Sequence, residues 1–217
     1  MGKYKGVIFD LDGTLLNTIE DLSDSVNEVL TYYGYPIHSY EAYKLKIGRG
    51  FRNLLEQSLP EGVQSEKLLD EALRLFLNTY DRKYTDKTRP YEGISELLLR
   101  LKEKGIKIGV NSNKRTDYTN HLIRLNFPEI PFVDIIGERE NIPKKPNPVS
   151  ALEIAEKMDL PVSEIIYIGD SGTDIQTGKN ANMDTAGVLW GFRGRTELSE
   201  KGAVYIVEKA EDILDLF

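Results

Sequence analysis

The stretch GVIFDLDGTLLNT, residues 6–18, closes a four-residue apolar run with two aspartates, Asp10 and Asp12. A run this short does not span a membrane or serve as a secretory leader, and it suits one strand buried on both faces. Two carboxylates set so close together repel each other unless a cation lies between them. Gly13 then allows the chain to turn sharply away. The rest of the sequence is read for what makes such an acidic strand end tolerable.

Comparable apolar runs recur at 106–110 (IKIGV), 132–136 (FVDII), 164–169 (EIIYIG), 184–190 (DTAGVLW) and 203–207 (AVYIV). They are continuous rather than alternating, and rich in Ile and Val, as expected for strands covered on both faces. Helical stretches separate them. Residues 93–105 put Leu97, Leu98 and Leu101 on one face and stop at Gly105, and 147–158 carries Pro148 near its start. This alternation predicts an α/β protein with a doubly wound, Rossmann-like parallel sheet. Residues 16–88 differ. They hold amphipathic helices at 18–34 and 65–80 and no convincing buried strand. The expected organisation is a core of 1–15 plus 89–217 and a small all-helical cap of 16–88, with hinges near Leu15–Thr18 and Thr85–Pro90.

Open parallel sheets bind ligands beyond the carboxyl ends of their strands. The residues just past each expected strand are Asp10 and Asp12, then Asn111, Ser112 and Asn113, then Lys145 in KKPNP, then Asp170 and Asp174. Several carboxylates on one edge, in a chain with no cysteine, predict a hard divalent cation with oxygen ligands, Mg²⁺ above others. A hydroxyl and a lysine beside it read as the other half of a phosphate clamp. The chemistry that fits is attack by an aspartate on phosphorus, with the second aspartate moving the proton. Taken singly, Asp174 is also a natural helix N-cap and Asp170 a turn residue. Lys144 is a neighbour and rival of Lys145, and Lys114 reads as a surface charge.

In order, DLDGT (10–14), NSN (111–113), KP (145–146) and GDSGTD (169–174) resemble the four motifs of the haloacid dehalogenase-like phosphohydrolase superfamily. The softer stretches NSNK and GVLWGFRG (187–194) resemble its phosphoglycolate phosphatase-like branch, with Ser112 in a usual threonine position and Asn17 where many relatives have aspartate. The resemblance implies Asp10 as nucleophile and Mg²⁺ ligand. It implies Asp12 as general acid and base, its backbone carbonyl on the metal. Ser112 and the Asn113 N–H would bind the phosphoryl group, and Lys145 would neutralise nucleophile and phosphate. Asp170 would ligate Mg²⁺, with Asp174 ligating through water or orienting Asp170. The implied activity is a Mg²⁺-dependent phosphatase acting on a small, phosphoglycolate-like phosphomonoester. The rivals are a sugar-phosphate mutase, made less apt by Thr14, a dehalogenase, and a silent binding protein on the same fold.

The chain has 217 residues, 40% hydrophobic and 29% charged, with a net charge of −7. That composition argues for a folded cytoplasmic protein and against nucleic acid or membrane as a partner. GTDIQTGKN (172–180) is not a phosphate loop, since five residues rather than four separate its glycines and Asn180 follows the lysine. His38 and His121 stand alone and read as surface residues, and Trp190 reads as packing at the sheet edge. One basic run, KLKIGRGFR (44–52), holds Lys44, Lys46, Arg49 and Arg52 without an acid. It is either a solvated face or, at Gly48-Arg49-Gly50, a loop whose Arg49 meets the non-phosphate end of an anionic substrate.

Overall fold

The computed structural model describes residues 2–217. Six parallel strands form the main sheet: β1 (Gly6–Phe9), β4 (Lys107–Arg115), β5 (Asp134–Glu138), β6 (Ile165–Gly169), β7 (Asp184–Val188) and β8 (Tyr205–Val207). Their order is β5-β4-β1-β6-β7-β8. Helices α5 (Ile94–Glu103), α6 (Thr116–Asn126), α7 (Val149–Met158), α8 (Gly172–Asn180) and α9 (Arg195–Glu200) connect them.

The unbroken apolar runs follow from this layering. Successive side chains of a strand point to opposite faces. Val7 and Phe9 pack with Leu97, Leu98, Leu101, Leu122 and Ile123 on one side of the sheet. Ile8 packs with Ala151, Ile154, Ala155 and Met158 on the other. With helices on both sides, most strand positions are apolar, so alternation vanishes.

Two strands differ from the sequence reading. β4 runs on through Asn111–Arg115, where the ladder to β5 shifts register between Asn111 and Arg115. Apolarity could not reveal this extension, because the polar side chains of Asn111 to Lys114 are buried at the carboxyl edge of the sheet rather than solvated. β5 begins at Asp134, two residues later than its apolar run, because the ladder first pairs Gly109 with Asp134.

Between β1 and α5 the chain passes through β2 (Leu16–Asn17), α1 (Ile19–Tyr32), α2 (Tyr40–Lys44), α3 (Phe51–Glu56), α4 (Glu66–Lys83) and β3 (Arg89–Pro90). β2 and β3 pair antiparallel as a short ribbon, Leu16 opposite Pro90 and Asn17 opposite Arg89. The four helices bury their own cluster, including Leu22, Val26, Phe51, Leu54, Phe76 and Tyr80. Tyr118 of α6 and Phe192, past β7, join that cluster from the sheet side. The Tyr118 hydroxyl also donates to Asp81 of α4.

The ribbon is fastened by Asp21, in the first turn of α1. Its buried carboxylate accepts the backbone N–H of Lys87 (3.0 and 3.1 Å) and of Thr88 (2.8 Å). Removing the acceptor leaves two part-buried donors without their partner. Asp21→Ala is expected to destabilise the protein by about 2–4 kcal/mol, and Asp21→Asn by less, since the amide oxygen still accepts. Urea unfolding checks this, and an unchanged midpoint for the alanine variant would refute it.

Candidate active site

The carboxyl ends of β1 and β6 lie side by side, and this brings the aspartates together. The Asp10 N–H donates to Ile168 O (2.9 Å), continuing the ladder one residue past β1. Asp170 follows Gly169, the last residue of β6. The loop after Asp10 must pass close to Asp170. Gly13 has φ +87°, and a Cβ there would lie 2.4 Å from Asp170 Oδ2. Only glycine meets both demands.

Asp10, Asp170 and Asp174 are all buried, and each brings a carboxylate oxygen within 4.8 Å of the others. The Lys145 ammonium lies 2.7 Å from Asp10 Oδ1 and 2.7 Å from Asp174 Oδ1. Asp174 has a second task. Its Oδ2 accepts from the N–H (3.0 Å) and hydroxyl (2.6 Å) of Ser171, the N-cap of α8. Asp174 is therefore not the N-cap itself, but the third helical residue of a reciprocal cap that also faces the site.

Burial, and next the charge of Asp174, push the Asp10 carboxyl up to about 7, with Lys145 pulling the other way. Burial and the neighbouring Asp174 and Asp10 hold the Asp170 carboxyl well above its usual range, against the Phe192 N–H donated to it. Burial alone would lower the Lys145 ammonium, but Asp10 and Asp174 outweigh it and raise it. Three carboxylates around one ammonium leave an excess of two negative charges when all ionise. The donors are all oxygen. The set fits a hard divalent cation, which would relieve that repulsion.

Asp12 stands apart from this cluster. Its Oδ1 accepts from the Thr18 hydroxyl (2.6 Å) and the Lys114 ammonium (2.9 Å). The reading of Lys114 as a surface charge is wrong. Its side chain is only 1% exposed, and its Nζ lies 5.4 Å and 5.2 Å from the ring centroids of Phe51 and Tyr80. The usable signal was spacing: in an extended chain the residue two past Ser112 lies on the same side.

Ser112 is buried, its Oγ accepting the Lys114 N–H (3.1 Å). The Asn113 side chain holds two loops together. It donates to Gly48 O (2.9 Å) and Lys145 O (3.2 Å) and accepts the Lys145 N–H (2.9 Å). One cavity is walled by Asp10, Asp12, Ser112, Asn113 and Lys114 and closed by Leu22, Ile47, Gly48, Gly50, Phe51 and Leu54 of the helical insert.

Arg49 is outside that cavity. It is exposed and lines an adjoining open basin with Lys144, Lys145, Gly172 and Lys201. The rest of the basic run is otherwise engaged. Lys44 pairs with Glu41, Lys46 donates to Gln57 O, and Arg52 pairs with Glu66 and Asp70. Among the described residues no hydrogen bond or ion pair engages Arg49. Lys144 pairs with Glu138 (2.6 Å), which leaves the buried position to Lys145. Asn17 accepts the Ile19 N–H (3.3 Å) at the start of α1. His38 contacts Ser58 O and His121 packs on Tyr84, both away from the carboxylates. Trp190 does more than pack, for its indole N–H donates to Thr14 O (3.0 Å) and fixes the first loop.

Known proteins share this arrangement of sequence and fold. The chain is 31% identical over 192 residues to a phosphoglycolate phosphatase of Psychrobacter arcticus, covering 86% of this chain and 84% of that one. It is 28% identical over 217 residues to a phosphoglycolate phosphatase of Vibrio parahaemolyticus, covering 98% and 95%. A solved structure from Lactobacillus delbrueckii subsp. bulgaricus, proposed to be a phosphoglycolate phosphatase, superposes with a TM-score of 0.90 at 32% identity, covering 97% of each chain. Residues 7–188, from the first residues of β1 to the end of β7, match the family model of haloacid dehalogenase-like hydrolases, and the chain belongs to that family.

Proposed function

We propose that the protein is a Mg²⁺-dependent phosphatase of a small, phosphoglycolate-like phosphomonoester, working through an aspartyl-phosphate on Asp10. The observation that carries this reading is the buried carboxylate trio around Lys145, one member of which, Asp10, also walls a cavity with Asp12 and Ser112. The names of the relatives support the phosphatase reading and the choice of substrate class.

Asp10, Asp170 and Asp174, with the Asp12 backbone carbonyl, would hold the cation. A bound Mg²⁺ would supply positive charge to the phosphoryl oxygens as they approach the carboxylates. The remaining work falls to side chains of this protein. Lys145 holds Asp10 Oδ1, leaving Oδ2 to attack phosphorus as the ester P–O bond breaks. Ser112 and the Asn113 N–H receive the phosphoryl oxygens. Asp12 Oδ1 is held by Thr18 and Lys114, so Oδ2 gives its proton to the leaving alkoxide. Asp12 then takes a proton from the water that attacks the aspartyl-phosphate. Inorganic phosphate leaves and Asp10 is restored.

Residues 16–88 would serve as the cap, moving about the β2–β3 ribbon to admit substrate and then exclude water. Arg49, at the rim beside Lys145, would meet the far, anionic end of the substrate. Among the described residues no helix is long and apolar enough to cross a membrane. The net charge of −7 and the absence of cysteine favour a cytoplasmic setting, with neither nucleic acid nor membrane as partner.

Asp10→Asn is expected to lower phosphate release from phosphoglycolate by about a thousandfold or more, with the fold intact by circular dichroism. Turnover within tenfold of the parent would sink the nucleophile assignment. Metal is tested without turnover. Mg²⁺ at about a hundred times its Kd should stabilise the protein by about 2.7 kcal/mol and raise Tm by about 5–11 °C. EDTA should reverse the rise and Asp170→Asn abolish it; a Tm indifferent to Mg²⁺ would count against the cation.

A further inference from the structure

The loop after β7 joins the sheet to the helical insert. A Cβ on Gly191 would lie 2.3 Å from the Asp170 Cβ and 2.4 Å from Gly13 O, so the loop is pressed against the carboxylate site. Phe192 donates its N–H to Asp170 Oδ2 (2.7 Å), while its ring is buried in the apolar cluster of the insert. Arg193 reaches further. Its guanidinium donates to the carbonyl oxygens of Lys44, Leu45 (3.3 Å) and Ile47 (3.1 Å).

Those carbonyls belong to the last residue of α2 and the turn that follows. At a helix end they have no intrahelical partner and carry the negative end of the peptide dipoles. A planar cation with several donors matches three such acceptors, whereas an ammonium offers only a point charge. The fork is also braced from behind. Glu197 Oε2 lies 3.4 Å from Arg193 Nε, and Glu197 Oε1 accepts the Gly172 N–H (2.8 Å) at the start of α8. A continuous polar chain thus runs from α8, which carries Asp174, to the insert turn that carries Gly48, Arg49 and Gly50. At its far end that turn is tied by Asn113, which donates to Gly48 O.

We propose that Arg193 is a positioning residue that seats the 44–50 turn of the insert over the cavity holding Asp10, Asp12 and Ser112. Asn113 fixes one end of this turn and Arg193 the other. Without Arg193, among the described residues the Asn113–Gly48 bond is the one hydrogen bond left between this turn and the sheet side. The link to turnover rests on the proposed reaction, but the seating does not.

Amide hydrogen exchange on the full chain tests it. The Lys46 and Ile47 N–H groups both bond to Tyr43 O (2.9 and 3.1 Å) and report on the turn. Arg193→Ala is expected to speed their exchange by about tenfold or more, with the β1 amides unchanged. Arg193→Lys should fall between variant and parent. For phosphoglycolate, KM should rise by more than kcat falls. Glu197→Gln, which removes the charge behind Arg193, should produce the same local effect to a smaller degree and serves if the alanine variant does not fold. Unchanged exchange at 46 and 47 overturns the proposal, as does a uniform rise that includes β1. Neither result depends on turnover, so a chain inert toward every phosphomonoester would still decide it.

Discussion

Mutual repulsion among Asp10, Asp170 and Asp174 is the constraint around which the rest is arranged. At about 4 Å and an effective dielectric near 20, each pair of unit charges costs about 4 kcal/mol. Lys145 offsets part of this by touching two of the three. Such a cluster persists only on a scaffold that does not let its members drift apart. β1 and β6 supply it, as adjacent strands at the centre of the sheet, buried on both faces. Asp174 is restrained separately by the cap of α8. On the proposed function the cluster would be held ready for a cation and a phosphoryl group, with little reorganisation left when they arrive.

Asp12 obeys a different logic. Two of its neighbours come from either side of the insert boundary: Lys114 from β4, and Thr18 from the start of α1. Lys114 is in turn covered by Phe51 and Tyr80 of the insert. A buried ammonium needs a carboxylate, and aromatic faces make its burial less costly. The group proposed to move the proton therefore has a complete environment only when the insert is docked. The carboxylate trio belongs to the sheet edge alone. On the proposed reaction, binding charge and moving the proton would thus be divided between two parts of the molecule.

Much of this was legible in the sequence, for identifiable reasons. A strand buried on both faces carries few polar residues, so β1, β6 and β7 appear as largely apolar runs, and the residues just past them had to lie on one edge. Asp10, Ser112, Lys145, Asp170 and Asp174 are brought together there. Where polar residues were themselves buried, the pattern was silent. The Asn111–Arg115 extension of β4 and the interior place of Lys114 both break the rule that charge marks a surface. Helices α2 and α3 are five and six residues long, too short for a periodic signal. The reach of Arg193 across 146 residues to Ile47 leaves no local trace at all.

The ribbon carries a further consequence. Leu16 faces Pro90, so the chain leaves the sheet and returns to it at nearly the same point. To the core, everything between is topologically one long loop, and the entropic cost of closing a loop grows only as the logarithm of its length. The helices between could be lengthened, shortened or exchanged for others without altering strand order, sheet register or the carboxylate trio. Such an exchange would leave the sheet edge in place, but it would have to supply a new cover for Lys114 in place of Phe51 and Tyr80.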